Sequence, residues 1–204
     1  MNIRDFFYRN QKIVVFDTEY TTWEGAMERD WSGDYEYREI VQIAAQKIDL
    51  QHEVVIDSYE KKVLPRINPI LSEYFQSLTG ISQEEVDKYG VDFLEMYKSF
   101  VDWAGDCTKY AYNKNEKKQA DFVVIKENID LYELEFEIDE NEYGNLASVY
   151  QGIGVDTHNY NSGSLYKAFG LTLEGQEHNA MHDVNSLVQS LFATKRIMLG
   201  SATV

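Results

Sequence analysis

One segment near the N-terminus constrains the fold more than any other. Residues 13–16 read Ile-Val-Val-Phe, and this apolar run leads directly into Asp17-Thr18-Glu19. A continuous apolar run of this kind, rich in β-branched residues, predicts a strand that is buried on both faces of a sheet. Because side chains alternate along a strand, Asp17 and Glu19 should project from the same face at its end.

This pair of carboxylates predicts a metal site. Two like charges at the end of a buried strand repel each other and lose hydration, so the ionised pair needs a cation nearby. Carboxylate oxygens are hard ligands, which favour Mg²⁺ or Mn²⁺. The alternative is a strand that runs out into a solvated acidic loop, and the acidic composition of the chain also fits that interpretation.

Composition narrows the classes of protein to consider. The 204 residues suit one domain, with a core at about 12–198. The formal net charge of −16 argues against a broad electrostatic grip on duplex nucleic acid, but allows a small site where divalent metals supply positive charge. The single cysteine, Cys107, excludes an internal disulfide and favours a reducing cytoplasm. No apolar run has the length of a membrane span, so no membrane association is expected.

The hydrophobic pattern predicts an α/β fold. Strands are expected at about 12–20, 40–48, 54–59, 109–112 and 133–139, and helices at about 70–78, 82–90, 92–104, 121–128, 164–169 and 184–198. A long connection joins the first two strands, and the turn Gln51-His52-Glu53 joins the second and third. These strands should form an antiparallel meander. We therefore expect a five-stranded mixed sheet, three antiparallel strands followed by two further strands, flanked by helices. The aromatic-rich connection 21–37, directly after the acidic pair, has the length of a functional loop.

A second group of polar residues stands where the last helix begins. Asp183 lies one residue before the apolar stripe of that helix, so it can face the sheet from the first turn. The positive helix end favours an ionised carboxylate there. His178 precedes the helix by a few residues, a position from which an imidazole can reach a water at the metal site.

These motifs together resemble a known family. Phe-Asp-Thr-Glu at 16–19 with His-x-Ala-x-x-Asp at 178–183 resembles the DEDDh family of 3′→5′ exonucleases, which have a ribonuclease H-like fold. The resemblance is greater to the branch that contains the ERI-1-type exoribonucleases and the bacterial KapD-like proteins. Further segments that resemble this branch, in the same order, are 38–43, 78–82 and 162–166, so that the resemblance covers roughly residues 12–195.

The resemblance implies a set of catalytic residues. A third aspartate should come from the helix after the fourth strand, which favours Asp121 over Glu116; Asp121 could also be an ordinary helix N-cap. The family pattern then implies two Mg²⁺ or Mn²⁺ ions, with His178 as general base. The implied metal ligands are Asp17, Glu19, Asp121 and Asp183. The implied reaction releases nucleoside 5′-monophosphates from the 3′ ends of single-stranded RNA or DNA, short oligonucleotides among them because of the chain's charge.

The resemblance also implies a pocket for the 3′-terminal nucleotide. Its expected lining residues are Thr18, Tyr20, Trp23, Leu78 and Thr79. The aromatic side chains of Tyr20, Trp23, Trp31 and Tyr35 could stack on a base or simply pack the 21–37 loop. Two rival interpretations stay open: a zinc pair formed by His178 and His182, and a catalytically silent member that binds nucleic acid or a regulatory protein.

Overall fold

The architecture is a five-stranded mixed sheet with helices on both faces. A computed structural model describes residues 3–113, 121–136 and 138–200. The strands are β1 (Lys12–Tyr20), β2 (Ile40–Asp49), β3 (Val54–Lys62), β4 (Lys109–Ala111) and β5 (Tyr143–Asn145). The α-helices are α1 (Ile3–Arg9), α2 (Glu73–Thr79), α3 (Gln83–Tyr89), α4 (Phe93–Ala104), α5 (Asp121–Leu131), α6 (Ala147–Gln151) and α7 (Ala180–Met198), and 3₁₀ helices span Glu140–Glu142 and Ser162–Phe169.

The sheet order is β3-β2-β1-β4-β5. Strand β1 pairs antiparallel with β2, and β2 pairs antiparallel with β3. On its other side β1 pairs parallel with β4, and β4 pairs parallel with β5. This confirms the expected fold class, a ribonuclease H-like sheet of three antiparallel strands followed by two parallel ones.

Strand β1 is the centre of the sheet and is buried on both faces, as its apolar run predicts. Ile13 and Val15 pack in one apolar cluster with residues of α1, α6 and α7. Val14 and Phe16 pack in a second cluster with residues of α4 and α5. Odd-numbered side chains of β1 therefore face α7 and even-numbered ones face α5, an alternation that also governs the polar residues at the end of the strand.

The predicted strand at 133–139 is wrong, and the fifth strand lies later in the chain. The described residues of that segment belong to no strand. The Phe136 N–H donates to the Leu134 carbonyl at 2.9 Å, which is a local turn rather than a sheet bond. The Phe136 ring meets the Tyr97 ring of α4 edge-on, with centroids 5.1 Å apart. The apolar alternation thus reflects side chains packing onto a helix, without the strand pairing that it predicts.

Several helix boundaries also differ from the sequence pattern. Helix α2 begins at Glu73 instead of near residue 70, because the Ser72 side chain caps it by accepting the Phe75 N–H at 3.0 Å. Ile70 consequently lies outside the helix and is 76% exposed. The helix predicted at 164–169 is a 3₁₀ helix that begins two residues earlier. Within the part of the chain that the structure describes, no helix combines the length and apolarity needed to cross a membrane.

Candidate active site

The end of β1 and the first turn of α7 bring three carboxylates together. Asp17 and Glu19 continue the odd-numbered face of β1, which faces α7, and Asp183 lies in the first turn of that helix. One carboxylate oxygen from each of the three lies within 4.8 Å of the other two. Asp17 and Asp183 are only 5% and 3% exposed. The predicted pairing of the N-terminal and C-terminal motifs is thus present in the fold.

Neighbouring residues fix the position of Asp183. The Ser162 hydroxyl donates to Asp183 Oδ2 at 2.8 Å. Gly163 lies so close that a Cβ atom on it would be 2.4 Å from Asp183 Oδ1. That same Oδ1 is buried and has no hydrogen-bond partner among the residues that the structure describes. A buried carboxylate oxygen without a donor is costly, and a cation beside it would remove that cost.

Asp121 approaches from the opposite face of β1. It begins α5, and its Oδ1 accepts two hydrogen bonds from Thr18, one from the backbone N–H at 3.0 Å and one from the hydroxyl at 2.6 Å. Thr18 is an even-numbered residue of β1, and its side chain therefore faces α5, where it reaches Asp121. The competing candidate, Glu116, lies outside the described residues.

Burial raises the pKa values of the four acids, and repulsion between them contributes. Burial raises the pKa of Asp17 and of Glu19 well above the usual range, and repulsion from the carboxylates of Asp121 and Asp183 raises both further. Burial likewise raises the pKa of Asp121, and that of Asp183 to about 6. Full ionisation near neutral pH is therefore unfavourable without positive charge. The donor set fits divalent metal ions with oxygen ligands.

The two histidines of the C-terminal motif have different environments. His178 is half-buried on the wall of the same cavity, and burial lowers the pKa of its imidazole. A neutral imidazole is the form that can accept a proton. In contrast, His182 is buried, with Nδ1 3.2 Å from the Glu174 carbonyl oxygen and Nε2 3.1 Å from the Gly163 carbonyl oxygen. Both of its ring nitrogens face backbone oxygens, so the structure lends no support to a zinc pair.

The four acids and His178 line a cavity of about 690 Å³. Of the side chains expected to bind the terminal nucleotide, the ones that line it are Thr18, Tyr20, Leu78 and Thr79. Trp23 is not among the described lining residues, whereas Trp31 from the same loop is. The Trp31 Nε1–H donates to the Thr21 carbonyl at 3.3 Å, which folds the loop back over the end of β1.

Among the residues at the site that received no role from the sequence are Arg38, Ser162 and Gly163. They lie in two of the segments that resemble the exonuclease family, so a signal for them was present. What the sequence lacked was a chemical reason to assign them a function, since each acts through a contact that only the folded chain makes.

The profile of the family described as Exonuclease (RNase_T) matches residues 14–191. The chain belongs to this exonuclease family. Among curated proteins, it is 37% identical over 85 residues to the 3′-5′ exonuclease eri1 of Schizosaccharomyces pombe, covering 41% of this chain and 27% of that protein. It is 30% identical over 115 residues to human 3′-5′ exoribonuclease 1, covering 55% of this chain and 30% of that protein. These matches thus span less than a third of either relative.

Solved structures of exonucleases share the fold. The nuclease domain of 3′hExo, described as a DEDDh family member bound to rAMP, superposes with a TM-score of 0.69 at 19% identity, covering 94% of both chains. The structure of a 3′-exonuclease that recognises the 3′ end of a histone mRNA stem-loop has a TM-score of 0.74 at 17% identity, covering 94% of this chain and 65% of that one. At these identities the likeness establishes the fold alone.

Proposed function

We propose that this protein is a metal-dependent 3′→5′ exonuclease that removes nucleotides from the 3′ ends of single-stranded RNA or DNA, including short oligonucleotides. One observation carries the proposal: the carboxylate oxygens of Asp17, Glu19 and Asp183 meet within 4.8 Å, and the cavity that they line also contains His178. Membership in the exonuclease family and the names of the curated relatives support the same class of reaction.

The residues that would hold the metal ions, two Mg²⁺ or Mn²⁺, are Asp17, Glu19, Asp121 and Asp183. Such ions would offset the negative charge that builds up on a phosphodiester during cleavage and would lower the pKa of a nearby water. The buried, unpartnered Asp183 Oδ1 and the raised pKa values of the four acids support this assignment.

His178 would act as the general base. It would take a proton from the attacking water while the water oxygen bonds to phosphorus and the bond from phosphorus to the 3′ oxygen breaks. The departing 3′ oxygen would take up a proton from solvent. The products would be a nucleoside 5′-monophosphate and a chain shortened by one nucleotide, with a free 3′-hydroxyl. The lowered pKa of His178 supports this role, because the imidazole is then neutral and able to accept a proton near pH 7.

The terminal nucleotide would lie between the 21–37 loop with the end of β1 on one side and α2 on the other. Tyr20 and Trp31 lie on one part of the cavity wall, and Leu78 with Thr79 at the end of α2 on another. A base between such surfaces gains stacking energy of about 1–3 kcal/mol regardless of its identity. A single strand can present a terminal base in this way, whereas a paired end must first separate. With a single cysteine, we propose that the protein works in the reducing cytoplasm.

Digestion of 5′-labelled single-stranded RNA and DNA tests the proposal, with Mg²⁺, with Mn²⁺ and with EDTA. We expect a ladder that shortens from the 3′ end, disappears with EDTA and is absent in Asp17→Asn. The matched control is Asp106→Asn, which changes an exposed aspartate outside the cavity and should leave the ladder intact. If a folded wild-type protein leaves every substrate whole with both metals, the exonuclease proposal fails and a silent, nucleic-acid-binding role takes its place.

A further inference from the structure

Arg38 is the one arginine or lysine among the described residues that line the cavity. The lining of the same cavity includes five carboxylates, four of them the proposed metal ligands and the fifth that of Asp30. Two divalent ions would about balance the four ligands, so they leave little positive charge for any other phosphate. An oligonucleotide brings further phosphates to the site, and each needs a cationic partner or must stay in solvent.

The Arg38 side chain is held in place, yet part of it remains accessible. Its guanidinium carbon lies 5.4 Å from the ring centroid of Trp31 and 5.8 Å from that of Tyr20. One terminal nitrogen pairs with the Glu127 carboxylate of α5. The side chain is still 24% exposed, and a guanidinium has five N–H donors, more than one carboxylate occupies.

The backbone around Arg38 is fixed to the helix that carries Asp121. Asn128 of α5 is fully buried; its side chain donates to the Arg38 carbonyl at 2.7 Å and accepts the Ile40 N–H at 3.0 Å. Arg38 also lowers the pKa of Asp121, so the two side chains are within electrostatic range. The guanidinium thus has a defined position on the α5 side of the cavity, whereas the three clustered carboxylates lie on the α7 side.

We propose that Arg38 binds a substrate phosphate other than the one that is cleaved, and so selects oligonucleotides with at least two phosphates near the 3′ end over simple nucleotide esters. The inference rests on the proposed exonuclease function. The cleaved phosphate belongs with the metal ligands, three of which cluster on the α7 side of the cavity, whereas Arg38 pairs with Glu127 on the α5 side. Arginine matches phosphate geometry with two parallel N–H donors, and its stacking on two rings reduces the ordering cost of the contact.

Glu127 competes with the phosphate for the guanidinium. In the free protein the Arg38 side chain pairs with Glu127, so a phosphate must share or replace that partner. Removing the Glu127 charge should therefore strengthen substrate binding, whereas removing Arg38 should weaken it. In the Arg38→Ala background, the effect of Glu127→Gln should largely disappear, because the two residues act through the same contact.

Binding of a 5′-labelled single-stranded pentanucleotide tests the inference independently of turnover, by fluorescence anisotropy in the His178→Gln background with Mg²⁺. We expect Arg38→Ala to bind roughly tenfold to a hundredfold more weakly, as for loss of a charged hydrogen bond. The slope of log affinity against log salt concentration should fall by about 0.7, the value for one phosphate contact on a single strand. Glu127→Gln should bind more tightly.

Arg66→Ala is the matched control. Arg66 also pairs with a carboxylate, that of Asp92, and also lies over an aromatic ring, with its guanidinium carbon 4.6 Å from the Tyr132 centroid. It does not line the cavity, so its removal should change neither affinity nor salt slope. An unchanged salt slope in Arg38→Ala would overturn the inference and leave Arg38 as an anchor of the loop.

Turnover distinguishes the inference from the function on which it rests. The 4-nitrophenyl ester of thymidine 5′-monophosphate contains only the phosphate that is cleaved. Arg38→Ala should retain its kcat/KM on this ester and lose at least tenfold on the pentanucleotide, and Arg38→Lys should recover part of the loss. Equal losses on both substrates contradict the inference. If the wild-type protein cleaves neither substrate, the proposed function fails. Only the binding measurements then decide whether Arg38 binds a phosphate.

Discussion

Thr18 binds Asp121 twice, through its backbone N–H at 3.0 Å and through its hydroxyl at 2.6 Å. The contact joins residues 103 positions apart and fixes the start of α5 against the end of β1. It follows from strand alternation, because Asp17 and Glu19 face α7 and the residue between them must face α5. The Asp-Thr-Glu motif therefore orients acids on both sides of the strand.

This contact predicts that the Thr18 hydroxyl positions Asp121. In Thr18→Val the side chain keeps its shape but loses the donor, and Asp121 keeps only the backbone bond. Loss of a hydrogen bond to a charged group is worth about 1.5–3 kcal/mol, so we expect kcat/KM on a single-stranded oligonucleotide to fall roughly tenfold to a hundredfold. Thr18→Ser retains the hydroxyl and should lose much less. Equal losses in both variants would assign the effect to methyl packing instead.

The sequence predicts those parts of the site that depend on local patterns along the chain. The apolar run before Asp17 predicts a strand buried on both faces, and the structure has that strand. Asp183 follows equally directly, because an acid just before an apolar stripe must lie in the first turn of a helix. Both are local patterns whose periodicity fixes the direction of the side chain.

The features that the sequence does not reveal depend on contacts between distant segments. The alternation of apolar residues after Tyr132 is compatible with a strand in the sheet and also with packing on a helix. In the structure these side chains pack on α4. In the 21–37 loop, Asp30 and Trp31 adopt positive φ angles of 54° and 51°, which turn the chain back toward β1. No periodicity encodes that turn, so the sequence could not distinguish Trp23 from Trp31 as the tryptophan of the cavity wall, and the fold places Trp31 there.

Gly163 should be intolerant of a side chain because of its contact with Asp183. A Cβ atom would lie 2.4 Å from Asp183 Oδ1 and must displace that carboxylate or the 3₁₀ helix. We expect Gly163→Ala to bind Mg²⁺ or Mn²⁺ at least tenfold more weakly by isothermal titration calorimetry, with a matching loss of activity. Gly154→Ala is the matched control: its Cβ would meet no atom within 4 Å, although its φ of 76° strains the alanine. Normal metal affinity in Gly163→Ala would contradict the proposed role of Asp183.

His178→Gln separates proton transfer from metal binding. If His178 is the general base, its loss should reduce kcat by about 10²–10⁴. Metal affinity should stay unchanged, since the imidazole is not among the proposed ligands. His158→Gln alters an exposed histidine outside the cavity and should have wild-type kcat. A His178→Gln protein with wild-type kcat, or one that loses its metal affinity, would remove His178 from the role of base.

The raised pKa values of the acids predict how stability depends on pH. In the folded state Asp183 has a pKa of about 6, and those of Asp17, Glu19 and Asp121 are also raised, whereas in the unfolded chain aspartates and glutamates titrate near pH 4. Between these values the folded protein binds more protons than the unfolded chain. The contribution of the cluster to the free energy of unfolding is thus fully present below about pH 4 and is lost as the pH rises through about 6.

Thermal unfolding with EDTA and with Mg²⁺, from about pH 4.5 to about pH 7.5, measures this effect. Carboxylates outside the cluster act in the opposite direction; an ion pair with Arg29 lowers the pKa of Glu36, for example, which adds stability as the pH rises. The relevant quantity is therefore the difference between wild type and Asp17→Asn. In EDTA that variant should gain stability relative to wild type as the pH rises, because it removes one of the repelling charges. In Mg²⁺ the order should reverse near neutral pH, because wild type alone has the full set of ligands. A difference that does not vary with pH would mean that the four acids do not interact as the structure indicates.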